Sequence, residues 1–423
     1  MIAIALLACL WEDPKPVATT NEVVRSLVVA EPELALRKTF LAGGEQGTTL
    51  FVGRAGHGLV ADGEARWIEA LVDEVDAVCI DVGFSDGEAL ERWVHTGEGT
   101  LSQLLDEAAP WAWDRAGAER VLRALRERCE RTPQALPRLV GVGIGSPKRE
   151  YLRAQAFVEE ADFNLGHRTG IVLGPLRQED PDGRTRWYQL DAAERYVMRV
   201  AIGEAYNVLS DQREQYAETL GAKKTELGIQ SMLALSNVER SLSWSIEPSE
   251  MDPHGDMLAG MVAWTRSHLP PSAKVVCLVL GRDALRGSDA HSAAACLERT
   301  TGAKVSTLLV VGTHLTVRAA DASVTGVQPR TLELKLAQTQ GFLSDLQAAL
   351  PEPALLDVRA LAAVEVSGEG RKALAQRWSE PHTVLLAARS MGSEAEAAVE
   401  MRPVKDADFV YWVPTQPKPP VKR

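Results

Sequence analysis

Short β-rich runs that end at glycine or another small residue alternate along the chain with stretches of helical period. Thr48-Thr49-Leu50-Phe51-Val52-Gly53 is followed by a helical pattern over 64–75 and then by Asp76-Ala77-Val78-Cys79-Ile80-Asp81-Val82-Gly83. The run at 138–145 leads through a helix at 147–162 to Gly170-Ile171-Val172-Leu173. A third set comprises 274–280, a helix at 289–299 and 304–311. A fourth comprises 361–366, a helix at 371–379 and 382–388. Continuous apolar runs are what strands buried on both faces look like. Spacings of a dozen or more residues suit the crossover of a βαβ unit. Four such units predict an α/β fold of two largely parallel-sheet parts with helices on both faces.

The texture changes between 187 and 245. Asp191 and Glu194 have the spacing of a capping box. Apolar residues then recur at Tyr196, Val197, Val200, Ala201, Ala205, Val208 and Leu209, close to helical period. This stretch reads as a helical segment joining the two α/β parts. The organisation is then an apolar N-terminus and tether (1–20), a first α/β part (21–186), a helical segment (187–265), a second α/β part (266–414) and a proline-rich, disordered tail (415–423).

The first ten residues, Met1-Ile2-Ala3-Ile4-Ala5-Leu6-Leu7-Ala8-Cys9-Leu10, are wholly apolar. Leu6-Leu7-Ala8-Cys9 resembles the lipobox of bacterial lipoproteins, which implies a lipid anchor on Cys9 and an envelope location. The segment lacks the basic n-region of a secretory signal. The other reading is a first buried strand stopped by Asp13-Pro14 in a cytoplasmic protein. With Cys9 lipidated, Cys79, Cys129, Cys277 and Cys296 are enough for two disulfides. In the cytosol, Cys79 and Cys277 read instead as small apolar residues within strands.

Composition narrows the partners. An apolar fraction of 45% in 423 residues supports a large core, and a formal charge of −12 opposes non-specific binding to nucleic acid or anionic lipid. Membrane contact is expected only through a lipid on Cys9. The partner expected is a protein or a small molecule, and no cofactor is implied. The ten tryptophans are scattered along the chain and read mostly as packing residues.

Three places carry candidate chemistry. Gly141-x-Gly143-x-Gly145-Ser146-Pro147-Lys148-Arg149 joins a strand to a helix. Glycines there admit a close backbone approach, Ser146 and Pro147 suit a helix start, and Lys148 and Arg149 add positive charge. That makes Gly143, Gly145, Ser146, Lys148 and Arg149 an anion-binding candidate. The same glycines also suit a place where a helix crosses a strand. Asp252, His254 and Asp256 alternate, so in an extended loop they could face one metal ion; in a turn, Asp252 would merely cap the following helix.

The third is His57 in Ala55-Gly56-His57-Gly58, followed by Asp81-Val82-Gly83 at the end of the next strand. This pair resembles the caspase-like peptidase fold, in which a Gly-His-Gly turn carries the base and an Asp-x-Cys turn the nucleophile. The resemblance covers residues 48–87. It implies that His57 is the base and puts Gly83, which has no thiol, at the nucleophile position. The implied module is an inactive peptidase. The chain has no Gly-x-Ser-x-Gly elbow either. The function expected from sequence is therefore a non-catalytic binding or scaffolding protein. The alternatives are an inactive caspase-like module and a phosphate- or nucleotide-binding module.

Overall fold

Seven strands share one sheet in the computed structural model, which describes residues 18–42, 47–54, 61–108, 115–134, 136–177, 184–246, 253–287, 290–312, 314–319, 330–335, 341–362, 368–386 and 398–414. In chain order the strands are β1 (Thr48–Arg54), β2 (Ala77–Ile80), β3 (Arg138–Gly141), β4 (Lys274–Leu280), β5 (Val305–Gly312), β6 (His314–Ala319), β7 (Arg330–Lys335), β8 (Ala354–Asp357), β9 (His382–Leu385), β10 (Ala398–Met401) and β11 (Phe409–Val413). The main sheet has the order β3-β2-β4-β1-β5-β11-β8. Its pairs are parallel except for β11 with β8. The pairs β6-β7 and β9-β10 are antiparallel and lie apart from it.

The α/β class is thus observed, and the strands that the sequence assigns to two parts interleave in a single sheet. β4 lies between β2 and β1, and β1 lies between β4 and β5. Interleaving pairs both long edges of β1 and β4, which separate sheets would have left open to solvent or to other chains.

The helices that position the site are α1 (Thr20–Ser26), α2 (Pro32–Leu41), α3 (Ala61–Leu71), α4 (Phe84–Thr96), α5 (Leu101–Ala108), α6 (Arg115–Arg131), α7 (Pro147–Ala161), α8 (Phe163–Leu173), α9 (Arg184–Gln189), α10 (Ala192–Asp211), α11 (Arg213–Leu220), α12 (Ala222–Ile246), α13 (His254–Ser267) and α14 (Ala293–Thr301). Side chains alternate between two cores, as the period of two in a strand requires. Leu50, Val52, Val78, Ile80, Val276 and Leu278 pack against α2, α3, α4 and α6. Phe51, Cys79, Val275, Cys277 and Val279 pack against α1, α13 and α14. Burial on both faces explains the unbroken apolar runs. A third core, with Tyr151, Phe157, Trp187, Met198 and Ile202, lies within the helical module.

The capping box at Asp191 and Glu194 forms as expected and starts α10. Trp67, Trp187, Trp378 and Trp412 are fully buried, in keeping with a packing role. The run Gly170-Ile171-Val172-Leu173, which the sequence presents as a strand, closes α8 instead. Asp162 caps that helix by accepting from the Leu165 amide at 2.9 Å. Leu165 and Leu173 then fall on one buried side, so the cap and the tertiary contact override the β-branched pair. Of the predicted strand at 361–366, residues 361 and 362 end a short helix, Arg359–Ala362, and 363–367 lie outside the described residues. So do the first seventeen residues, Cys9 among them, and the tail from 415.

Cys79, Cys129, Cys277 and Cys296 are buried free thiols, so the two disulfides that four cysteines would allow are not formed. Cys79 and Cys277 are register partners across β2 and β4. Burial, with the neighbouring Cys79, pushes the Cys277 thiol well above its ordinary range. The thiolate is the reactive form. Ellman's reagent should therefore leave these four positions unmodified in the native protein and label all four in guanidinium, as mapped by peptide mass. Rapid labelling of Cys277 in native protein would contradict this packing.

Candidate active site

The order of the strands fixes where a site can form. β1 connects through α3 to β2, on the side of the sheet that carries Trp67 and Ile68. β4 connects through α14 to β5 in the opposite direction, on the side that carries Cys296 and Leu297. Crossovers of one hand that travel in opposite directions must use opposite faces. Helices therefore part on either side of the adjacent ends of β1 and β4. In open parallel sheets, ligands bind outside the carboxyl ends of the strands at such a switch point.

Charged side chains collect at this edge. β2 runs directly into Asp81, which is 6% exposed and whose amide donates to the Leu278 carbonyl of β4 at 3.2 Å. β4 runs into the short turn Gly281–Ala284, which carries Asp283. The Asp283 carboxylate lies 3.5 Å from Nε2 of His254, the first residue of α13. His254 and Asp283 are both buried, at 6% and 7% exposure. A carboxylate at this distance stabilises the imidazolium that forms when a histidine accepts a proton from water or a hydroxyl.

A second polar layer supports the turn between β2 and α4. The Glu150 carboxylate accepts from the Ser85 amide at 3.0 Å and from Ser85 Oγ at 2.7 Å. It thereby fills the positive N-terminal end of α4. Arg149 pairs with Asp86 at 2.7 Å, and Arg153 makes a two-pronged pair with Glu88 at 2.5 and 2.9 Å. Three consecutive links thus clamp the first turns of α7 onto those of α4. Burial raises Glu150 to about 7, against the hydrogen bonds from Ser85 and with help from the charge of Asp86. Burial raises Asp86 to about 6, against the opposing charge of Arg149.

The Glu150 shift has a sign that can be tested. Its folded value lies above the ordinary 4.5, so the stability it confers is complete below 4.5 and is lost as pH rises through about 7. Glu150→Gln removes the ionisation and leaves a group able to pair with Ser85. The stability of this variant relative to the wild-type chain should improve by about 2 kcal/mol between pH 5 and pH 8. Urea melts at the two pH values measure this, and a difference that does not change with pH would contradict it.

The residues singled out by sequence have separate fates. Gly143 and Gly145 lie against the protein's own chain: a Cβ on Gly143 would collide with Asp81, and one on Gly145 with Glu150 and Gly83. Ser146 is the N-cap of α7 and is buried, Lys148 is half-buried, and Arg149 is committed to Asp86. The close approach that the glycines permit is made here by the turn after β2, with carboxylates at its centre.

Asp252 lies outside the described residues. His254 and Asp256 do not converge, because they are two apart on a helix, where such neighbours face different ways. His254 turns to Asp283, and Asp256 pairs with Arg299 at 3.3 Å. Among the described residues no group of three His, Cys, Asp or Glu side chains is placed to hold a metal. His57, three residues past the end of β1 in the sequence, lies outside the described residues. Sequence reasoning missed Asp283, Glu150 and Ser85. Only the position of Asp283 just past an apolar strand could have signalled it.

A largely parallel α/β sheet with a His–carboxylate pair and further acidic groups at its switch point falls in the class of open α/β sheets whose ligands bind at the carboxyl edge. The chain belongs to the erythromycin esterase family, whose model matches residues 73–416. Three solved structures share the fold. A protein from Bacillus cereus has a TM-score of 0.72 and 15% identity, over 94% of this chain and 98% of that one. A succinoglycan biosynthesis protein has a TM-score of 0.67 and 14% identity, over 93% and 96%. A histidine-to-asparagine mutant of the erythromycin esterase EreC, in its open conformation, has a TM-score of 0.69 and 13% identity, over 96% and 98%. No curated protein matches the sequence.

This membership overturns the expectation of a non-catalytic binding or scaffolding protein. It points to a hydrolase, and the readings as an inactive caspase-like module or a nucleotide-binding module fall with it. The chain carries no nucleophile elbow or familiar triad, so no local motif in its sequence signals a hydrolase.

Proposed function

We propose that the chain is an esterase that hydrolyses a carboxylic ester with water at the carboxyl edge of the sheet. The observation that carries this reading is the buried His254–Asp283 pair at the end of β4, beside the switch point. His254 takes a proton from the attacking water, and Asp283 stabilises the imidazolium that results. The tetrahedral intermediate then collapses, the bond from the acyl carbon to the alcohol oxygen breaks, and the proton passes to the departing alkoxide. The products are a carboxylic acid and an alcohol, with no other reactant consumed.

Asp81, at the end of the strand beside β4, is a further polar group on this edge. His57 follows the end of β1, the other strand of the switch point, and is the second candidate base. Family membership and the likeness to EreC support an ester as substrate, and erythromycin is the first ester to test. Purified chain should release a free carboxylic acid from p-nitrophenyl esters or from erythromycin, followed by pH-stat titration and mass spectrometry. No turnover of either, with the protein folded, would count against the reading.

A further inference from the structure

A cavity of about 560 Å³ opens at the opposite edge of the sheet, among the N-terminal ends of β1, β5 and β11. Its volume is in the range of small-molecule sites. Among the described residues four cationic side chains line it, Lys38, Arg266, Lys304 and Arg359, against one carboxylate, Asp408. This is a local excess of positive charge on a chain whose formal charge is −12.

Much of that lining is already paired. Arg359 is held by Asp357 and donates to Thr39 Oγ1 at 3.0 Å. Asp408 accepts from the Thr307 amide at 2.9 Å and from Arg286 at 3.2 Å, so its charge is taken up outside the cavity. Arg266 donates to Thr49 Oγ1 at 2.7 Å. Lys38 and Lys304 make no ion pair among the described residues. The hydroxyl of Thr48, a residue 7% exposed, is buried with no hydrogen-bond partner among the described residues, and Thr48 lines the cavity. That hydroxyl is sealed from the cavity, so what the cavity offers a ligand is the charge of the two uncommitted lysines and Arg266, which an anion would neutralise.

We infer that this cavity binds a small anion carrying at least two negative charges, held by Lys38, Lys304 and Arg266. The site is separate from the carboxyl edge and does not depend on the esterase reading. Small residues such as Gly302 and Ala303 leave room for the body of the ligand.

The test is isothermal titration of the full chain with citrate and with inorganic pyrophosphate, at fixed ionic strength, with chloride as the control. At least one of the two should bind saturably with one site per chain, and chloride should not. The preferred anion then tells a polycarboxylate from a phosphorylated ligand. Lys38→Glu and Lys304→Glu alter exposed side chains and should fold normally by circular dichroism. Each should weaken binding by at least about tenfold, the loss expected of a charge-assisted contact. Binding that chloride matches, binding that both lysine variants retain in full, or no binding of either anion would overturn the proposal.

Discussion

His254→Asn should lower kcat for ester hydrolysis by about 10² to 10⁴-fold, the usual contribution of a positioned general base. The fold should persist. Asn nearly matches the imidazole in polarity, and only one side chain of α13 changes while the apolar face formed by Met257, Leu258, Met261 and Val262 stays in the core. Asp283→Asn should lower kcat less than His254→Asn does, because it leaves the base in place and removes the charge that stabilises its protonated form. The double variant should be no worse than His254→Asn alone, since residues that act as a unit are not additive. His57→Asn is measured beside them. If His254→Asn keeps full activity while His57→Asn loses it, the base lies in the segment after β1, and His254 serves only to pack α13 against the end of β4.

How much of this was legible in sequence depended on how local each signal was. The strands announce themselves because burial on both faces leaves few polar positions, as in Val275-Val276-Cys277-Leu278-Val279, where all five are buried. Caps are local too, so the Asp191–Glu194 box could be read directly. Strand order is not local. Nothing in residues 274–280 says that they insert between β2 and β1, and so one sheet reads as two. The site suffers most from this. Asp283 meets His254 across 29 positions of chain, and Ser85 meets Glu150 across 65. Each of these side chains is ordinary in its own neighbourhood. Residues 252, 254 and 256 looked like a cluster only because alternate spacing was read as an extended loop, whereas α13 begins at His254 and sends its neighbours in different directions.

Gly141→Ala should destabilise the fold by about 3 kcal/mol, at the upper end of what overpacking costs. The glycines at 141, 143 and 145 have the spacing of an anion-binding loop, and the substitution separates that role from a packing role. A Cβ on Gly141 would overlap the carbonyl oxygen of Gly83 and approach that of Val82. Both are backbone atoms of the turn that carries Asp81 into α4, so no side chain can swing away to make room. On the other side, Gly87 of α4 packs directly on the Gly141 amide. The strain would have to be relieved by moving β3 away from β2, at the cost of their hydrogen bonds, or by shifting the turn and Asp81 with it. Activity should therefore fall in the same variant even where it remains folded. Gly203→Ala provides the contrast. Gly203 sits inside α10 with nothing within 4 Å of the added carbon, so alanine there should stabilise by about 0.5–1 kcal/mol through lower unfolded-state entropy and better helix propensity. Urea melts of the two variants separate the cases. A neutral Gly141→Ala would mean that the strand and the turn do not touch, and the glycines would again need a ligand to explain them.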